Sequence, residues 1–247
     1  MPHHQTVQYL FGGDRPWDPS AWDATDDRVR GGASVSHLTP VGPNDGDDDA
    51  LAVRFHGTLD TKTLGGAGFA SQQTRGGEQR HWDLSSFGGL LIRLGAGPGA
   101  ADDGRRYVVT LKDEIPGRRD DGRARSGVSW EADFVADGRQ DRVWLPWGSF
   151  RATYRGKPKD DAKPLDLSNI KRIGLMMRSF FDQQHGHFDL EVRSIAAASA
   201  PEPCDDDDDS SDSDSVRKEK AAQHPERHSE RHSAGSPWWR GVFCGLL

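Results

Sequence analysis

The fold class that this 247-residue sequence predicts is all-β, a sandwich of two packed sheets. Three observations predict it: period-two alternation of apolar and polar residues, turn chemistry between the alternating runs, and no amphipathic helical stretch of three turns. An all-β domain fills roughly 200–250 residues, so the length admits one such domain with an appendage. Composition changes near position 199. From Ala200 onward there are 11 acidic and 6 basic residues, whereas the body before it holds 28 and 26, a net of only −2. A nucleic-acid binder displaces counterions with a basic surface, and a near-neutral body does not supply one.

The runs in order begin with LAVRFH, where Leu51, Val53 and Phe55 share a face. GLLIRL (89–94) and IGLMMR (173–178) alternate less cleanly, as strands buried on both faces do. In RYVVTLK, Tyr107, Val109 and Leu111 share a face. VSWEADF sets Val128, Trp130, Ala132 and Phe134 against Ser129, Glu131 and Asp133, and FDLEVRSI alternates from Phe188 to Val192. Asp137-Gly138, between VSWEADF and RVWLPW, is a hairpin signal. GAGPGAADDG (95–104) links two further strands, DEIPGRRDDGRARSG (113–127) reads as a long exposed loop, and LDLSNI (165–170) holds one short turn. The total is roughly nine or ten strands, enough for two sheets with apolar inner faces.

Both cysteines, Cys204 and Cys244, lie beyond the body, so it has no disulfide framework and no thiolate metal site. No stretch reaches the roughly 20 apolar residues that span a bilayer. The N-terminus MPHHQTVQYLF carries neither a secretory signal nor a readable transit peptide. The terminal part divides in two. Residues 200–236, with DDDDDSSDSDS at 205–215, repel themselves, bury nothing and read as disordered, and the serines among aspartates suit acidophilic kinases. Residues 237–247 are abruptly aromatic. Trp238, Trp239 and Phe243 offer apolar contact for a protein partner or a membrane surface, Cys244 offers an acylation site, and folding back on the body is the alternative.

Few constellations carry chemistry. Gly65, Gly66 and Gly68 in LGGAGF resemble a dinucleotide fingerprint, but position 71 is Ser and the adjoining FASQQTRGG is not a helix on which a pyrophosphate sits. A turn with positive φ is the stronger reading. Asp60, Lys62 and the threonines 58, 61 and 63 line a polar cleft or a solvated loop, the latter favoured. His37, His56, His81, His185 and His187 are scattered; His185 and His187 share a strand face without a third ligand, so no metal site is read. His224, His228 and His232 form a helical stripe next to Pro225, which argues against a helix. No nucleophile motif and no singled-out carboxylate pair is present. Trp82, Trp144 and Trp147 are candidates for a sugar-stacking platform, with core packing the stronger reading for each.

The ordered motifs DDRVRGGAS (26–34), GTLDTKTLGGAGFASQ (57–72), WDLSSFGGLLIRL (82–94), RYVVTLK (106–112), VWLPWGSF (143–150) and IKRIGLMMRSFFDQQHGHFDLEVRSI (170–195) resemble the NADH:ubiquinone oxidoreductase complex I intermediate-associated family, from near Leu10 to Ala198. The resemblance implies a galactose-binding-domain-like, jelly-roll-like sandwich over 1–199. It also implies a non-enzymatic assembly chaperone that binds intermediates of the membrane arm of respiratory complex I, with protein partners, no cofactor and no catalytic residue to carry over. Arg28, Arg30, Asp60, Lys62, Thr63 and Gln72 then become rim or ligand-contact residues, or internal hydrogen bonds that brace loops. Phe69 is expected to anchor the loop in the core. The family's mitochondrial members carry a transit peptide, whereas here the domain begins almost at Met1. The mitochondrion is therefore expected by resemblance, with a cytosolic relative serving a different client as the alternative. A carbohydrate-binding module is the second reading and an enzyme the third.

Overall fold

A computed structural model describes residues 6–42, 51–75, 81–95, 104–117, 120, 125–138 and 140–200. The expectations for 200–236 and 237–247 lie outside the described residues from Pro201 onward. The described residues form thirteen strands and four 3-10 turns, with no α-helix among them. The strands are β1 (Val7–Gly12), β2 (Trp22–Ala24), β3 (Val35–Val41), β4 (Ala52–Leu59), β5 (Phe69–Thr74), β6 (Gly89–Leu94), β7 (Arg105–Lys112), β8 (Val128–Ala136), β9 (Arg142–Pro146), β10 (Arg151–Tyr154), β11 (Lys157–Pro158), β12 (Arg172–Arg178) and β13 (Gly186–Ala198).

They pair antiparallel into two sheets. One runs β3-β4-β13-β6-β9, with β1 also on β13. The other runs β11-β10-β8-β7-β12-β5-β2. We call them sheets A and B. The first half of β13 pairs with β4, and its second half lies between β1 and β6. The core forms where the alternating faces meet. Phe55, Leu90, Ile92, Phe188 and Leu190 come from sheet A; Tyr107, Val109, Leu111, Ile173, Leu175 and Met177 come from sheet B. Each such side chain, withdrawn from water, contributes about 1.5–3 kcal/mol. Rings of Phe55, Tyr107, Phe134 and Phe188 pack across the two sheets with centroids 5.0–6.4 Å apart.

Most of the period-two readings hold at residue level. Tyr107, Val109 and Leu111 face in, as do Ala132 and Phe134. Four expectations need correction. Leu51 is 68% exposed because β4 begins only at Ala52, so Val53 and Phe55 carry that face alone. GLLIRL and IGLMMR are covered on one side only, with Leu91, Arg93, Met176 and Arg178 half-buried on the other. Asp137-Gly138 makes a turn with φ of 69° at Gly138, but it joins no hairpin. β8 lies in sheet B and β9 in sheet A, so the chain crosses between layers there. The strand count is higher than expected because β2, β10 and β11 are too short to show alternation.

Candidate functional site

The signature segments meet at one end of the sandwich, around two buried carboxylates. Asp26 and Asp27 open a 3-10 turn, Asp27–Arg30, closed by Gly31 with φ of 83°. Asp27 is fully buried. Its Oδ1 accepts from the Ser34 amide (3.0 Å); its Oδ2 accepts from Ser34 Oγ (2.6 Å) and the Phe69 amide (3.1 Å). Asp26 Oδ1 accepts from Ser36 Oγ (2.6 Å) and the Ser71 amide (2.9 Å). Its Oδ2 accepts from the Ser36 amide (3.2 Å) and Arg28 (3.1 Å). Hydrogen bonds to a buried charge each contribute about 1.5–3 kcal/mol, so this pair clamps 26–36 to the start of β5. Gly32 and Gly68 are part of the clamp. A Cβ on Gly32 would lie 2.3 Å from Asp27 Oδ1, and one on Gly68 would lie 2.2 Å from the Asp60 carbonyl oxygen.

The glycines of LGGAGF serve the turn read from the sequence. Gly65 and Gly66 have φ of 61° and 94°, and the Gly66 amide donates to the Thr61 carbonyl at 2.7 Å. The next element is strand β5, so no helix N-terminus faces these glycines.

The expected rim residues divide. Arg28 and Arg30 are exposed, and the Arg30 guanidinium sits 5.6 Å from the Phe69 ring centroid. Phe69 is thus not a core anchor; it starts β5 half-buried on the outer face, under that cation. Asp60 Oδ1 accepts from the Thr63 amide (2.9 Å), and the hydrogen bonds from Thr63 hold the carboxyl below its ordinary range. Lys62 and Thr63 are exposed. Gln72 is not a rim residue. It is 5% exposed and points inward, donating Nε2 to the Ser36 carbonyl and hydroxyl oxygens, both at 3.1 Å. These bonds tie β5 to β3 from within.

Beside this lies a segment that sequence reasoning missed. Phe180, Phe181 and Asp182 all have positive φ: 46°, 59° and 66°. Left-handed backbone costs an L-residue roughly 1–2 kcal/mol each, so the run persists only where its surroundings fix it. Gln184 does that. Its Nε2 donates to the carbonyls of Arg106 (2.8 Å) and Arg178 (2.7 Å), and its Oε1 accepts from the Arg106 amide (3.0 Å). The guanidinium carbons of Arg106 and Arg178 flank the Phe180 ring at 4.5 and 4.4 Å. Phe181 is left 86% exposed. The turn joins the first segment: Ser179 donates its amide to the Gly68 carbonyl (2.9 Å), and a Cβ on Gly66 would lie 3.6 Å from Asp182 Cβ. Val29, 76% exposed, extends the apolar tip of this end. A run of consecutive positive-φ residues that are neither Gly nor Asn leaves no local signal in sequence.

A second surface lies on the outer face of sheet A. Pairing places His37, His56 and Asp189 in one cross-strand row, and Val35, Thr58 and His187 in the next. They line an open groove of about 500 Å³. His37 and His56 rings are 5.3 Å apart. His56 Nε2 hydrogen-bonds with Thr39 Oγ1 (3.0 Å), and His187 Nδ1 with Thr58 Oγ1 (3.1 Å). Arg54 forks onto Asp189, which raises the guanidinium further above its ordinary range. Burial lowers the His56 pKa, with His37 and Arg54 adding to the shift and Asp189 opposing it. No group of three or more His, Cys, Asp or Glu among the described residues is arranged to hold a metal. Sequence spacing could not reveal the groove, because strand register alone brings these histidines together.

The tryptophans do not form a shared platform. Trp82 and Trp147 pack against the core, and Trp147 Nε1 donates to the Phe87 carbonyl at 2.6 Å. Trp144 alone of the three lies on the outer face of sheet A, opposite Leu91.

Fold and layer order define the class, a jelly-roll β-sandwich. The structure is similar to the family 11 carbohydrate-binding module of the cellulase Lic26A-Cel5E of Clostridium thermocellum. The TM-score is 0.51 at 14% identity, covering 78% of this chain and 95% of that one. A solution structure of the module CtCBM11 gives a TM-score of 0.51 at 15% identity, covering 82% of this chain and all of that one. At such identities the likeness concerns the fold alone. The chain belongs to the complex I intermediate-associated protein 30 (CIA30) family, whose model matches residues 10–192. An uncharacterized protein of Schizosaccharomyces pombe is 40% identical over 190 residues, covering 76% of this chain and 82% of the relative.

Proposed function

We propose that this protein is a non-enzymatic assembly factor that holds intermediates of respiratory complex I through the braced loop end of its sandwich. Family membership supports the complex I role. The observation that carries the reading is where the family-like motifs go. DDRVRGG, TLGGAGF and SFFDQQHG build a fixed, solvent-facing surface with Val29, Lys62, Thr63 and Phe181 at its tip. An exposed aromatic held rigid loses little freedom on docking, which suits an anchor for an incompletely assembled client. In this reading Arg28 and Arg30 flank the contact, and Asp60 shapes the loop that presents it. The work is done in the mitochondrion, with other assembly factors as further partners. Trp238, Trp239, Phe243 and Cys244, outside the described residues, supply a separate docking segment.

Affinity capture from respiring cells tests this. Membrane-arm subunits or assembly factors of complex I are expected on the wild-type chain. Phe181→Ser should lower their recovery at least tenfold without lowering thermal stability. Recovery of no such chain, together with normal complex I in a deletion strain, overturns the reading. Truncation before Pro237 should alter location or partner binding and leave the melting temperature unchanged.

A further inference from the structure

On the outer face of sheet B, far along β7 and β12 from the Phe180 turn, two cations stand opposite each other. Lys112 and Arg172 are directly paired in register. Side chains so paired lie close, and like charges there are destabilising. Neither has an ion-pair partner among the described residues, and Arg172 Nε is buried with no acceptor among them. Burial and mutual repulsion depress the Lys112 pKa; burial likewise depresses that of Arg172.

The nearby carboxylates are already occupied. Glu131, the acid that acts on Lys112, accepts from Thr153 Oγ1 at 2.6 Å and from Arg178 at 2.5 Å. Asp23, the acid that acts on Arg172, pairs with Arg75 at 2.8 Å. Asp113, next in chain, accepts from the Asp166 amide at 3.0 Å. The next outward position after Arg172 is Gly174, which adds no charge to the pair; the Thr110 hydroxyl and the Gln73 side chain close the space beside it. A half-buried cation pair without a counter-ion costs stability and persists most readily where an anion completes it.

We propose that Lys112 and Arg172 form a binding site for a small phosphate-type oxyanion, held by the ammonium on one side and the guanidinium on the other. A planar guanidinium donates two parallel hydrogen bonds to such a group, and the ammonium adds a compact charge. The site is on the opposite sheet from the histidine groove and is independent of the assembly reading.

The probe is inorganic phosphate, titrated at constant ionic strength into the full chain and followed by calorimetry. One saturable site is expected. Its affinity should fall at least tenfold in Lys112→Met and in Arg172→Met, and stay within twofold in Arg142→Met on sheet A. Phosphate should also slow acylation of the wild-type Lys112 amine at pH 8 several-fold, a readout that needs no variant. Phosphate but not acetate should protect, if the tetrahedral dianion is the ligand; equal protection by acetate assigns the site to carboxylates instead and overturns the phosphate assignment. Heat that chloride reproduces, or unchanged affinity in both Met variants, overturns the site altogether.

Discussion

The 26–36 clamp and the 179–186 turn adjoin the same loop, 60–68, yet they are held by different means. The clamp is a charge arrangement. Two buried aspartates collect amides and hydroxyls from Ser34, β3 and β5, and the positive-φ position is left to Gly31. The turn reverses this. Three residues that prefer negative φ are forced positive, and one glutamine with two flanking arginines maintains the strain. Water competes weakly for the donors of the clamp, because its carboxylates are buried. In the turn, strain is tolerated where it exposes Phe181. The contrast separates what builds the end from what it presents.

The largest effect that would break the comparison falls on the clamp. Asp27→Ala removes the acceptor of three hydrogen bonds, leaves the Ser34 and Phe69 amides unpaired, and should destabilise by about 3–5 kcal/mol in urea melts. A loss under 1 kcal/mol would mean water replaces the carboxylate. Next is Gln184→Ala, which removes three hydrogen bonds from the strained turn; a loss of about 2–3 kcal/mol is expected. Phe181→Gly should act the other way. It relieves a left-handed φ and should raise stability by up to about 1 kcal/mol while abolishing client capture, so any loss of stability would show that Phe181 packs rather than presents. Arg30→Ala should cost about 0.5–1 kcal/mol through the lost contact with the Phe69 ring.

The smallest effect lies in the histidine groove. The folded state lowers the His56 pKa from 6.5, so the unfolded chain binds that proton more readily. Stability should therefore be unaffected above about pH 6.5, fall as pH drops through and below that value, and level off once the folded state is protonated too. His56→Gln should flatten this part of a stability-versus-pH curve, measured by denaturant melts between pH 7.5 and 5.

Features encoded within a single strand or turn were legible in the sequence. Tyr107, Val109 and Leu111 announce their face by alternation, and Gly65-Gly66 announces a positive-φ turn. Features that depend on pairing were not. His37 and His56 are 19 positions apart in sequence and meet only through the β3–β4 register. Gln72 looks like a rim residue by its polarity, yet the β5 pleat turns it inward onto Ser36. Asp137-Gly138 specifies a turn but cannot say which sheet receives the next strand. Asp26 and Asp27 carry no local mark of burial, because their partners come from segments further along the chain.

The pairing of β1 with the end of β13, Val7 against Ala198, brings the two extremities of the sandwich together at a single exit. A pull applied to both would part that ladder one rung at a time, like a zip, rather than stressing every rung at once. Force applied between residues 7 and 198 would therefore meet the resistance of single hydrogen-bonded rungs before it reached the rest of sheet A.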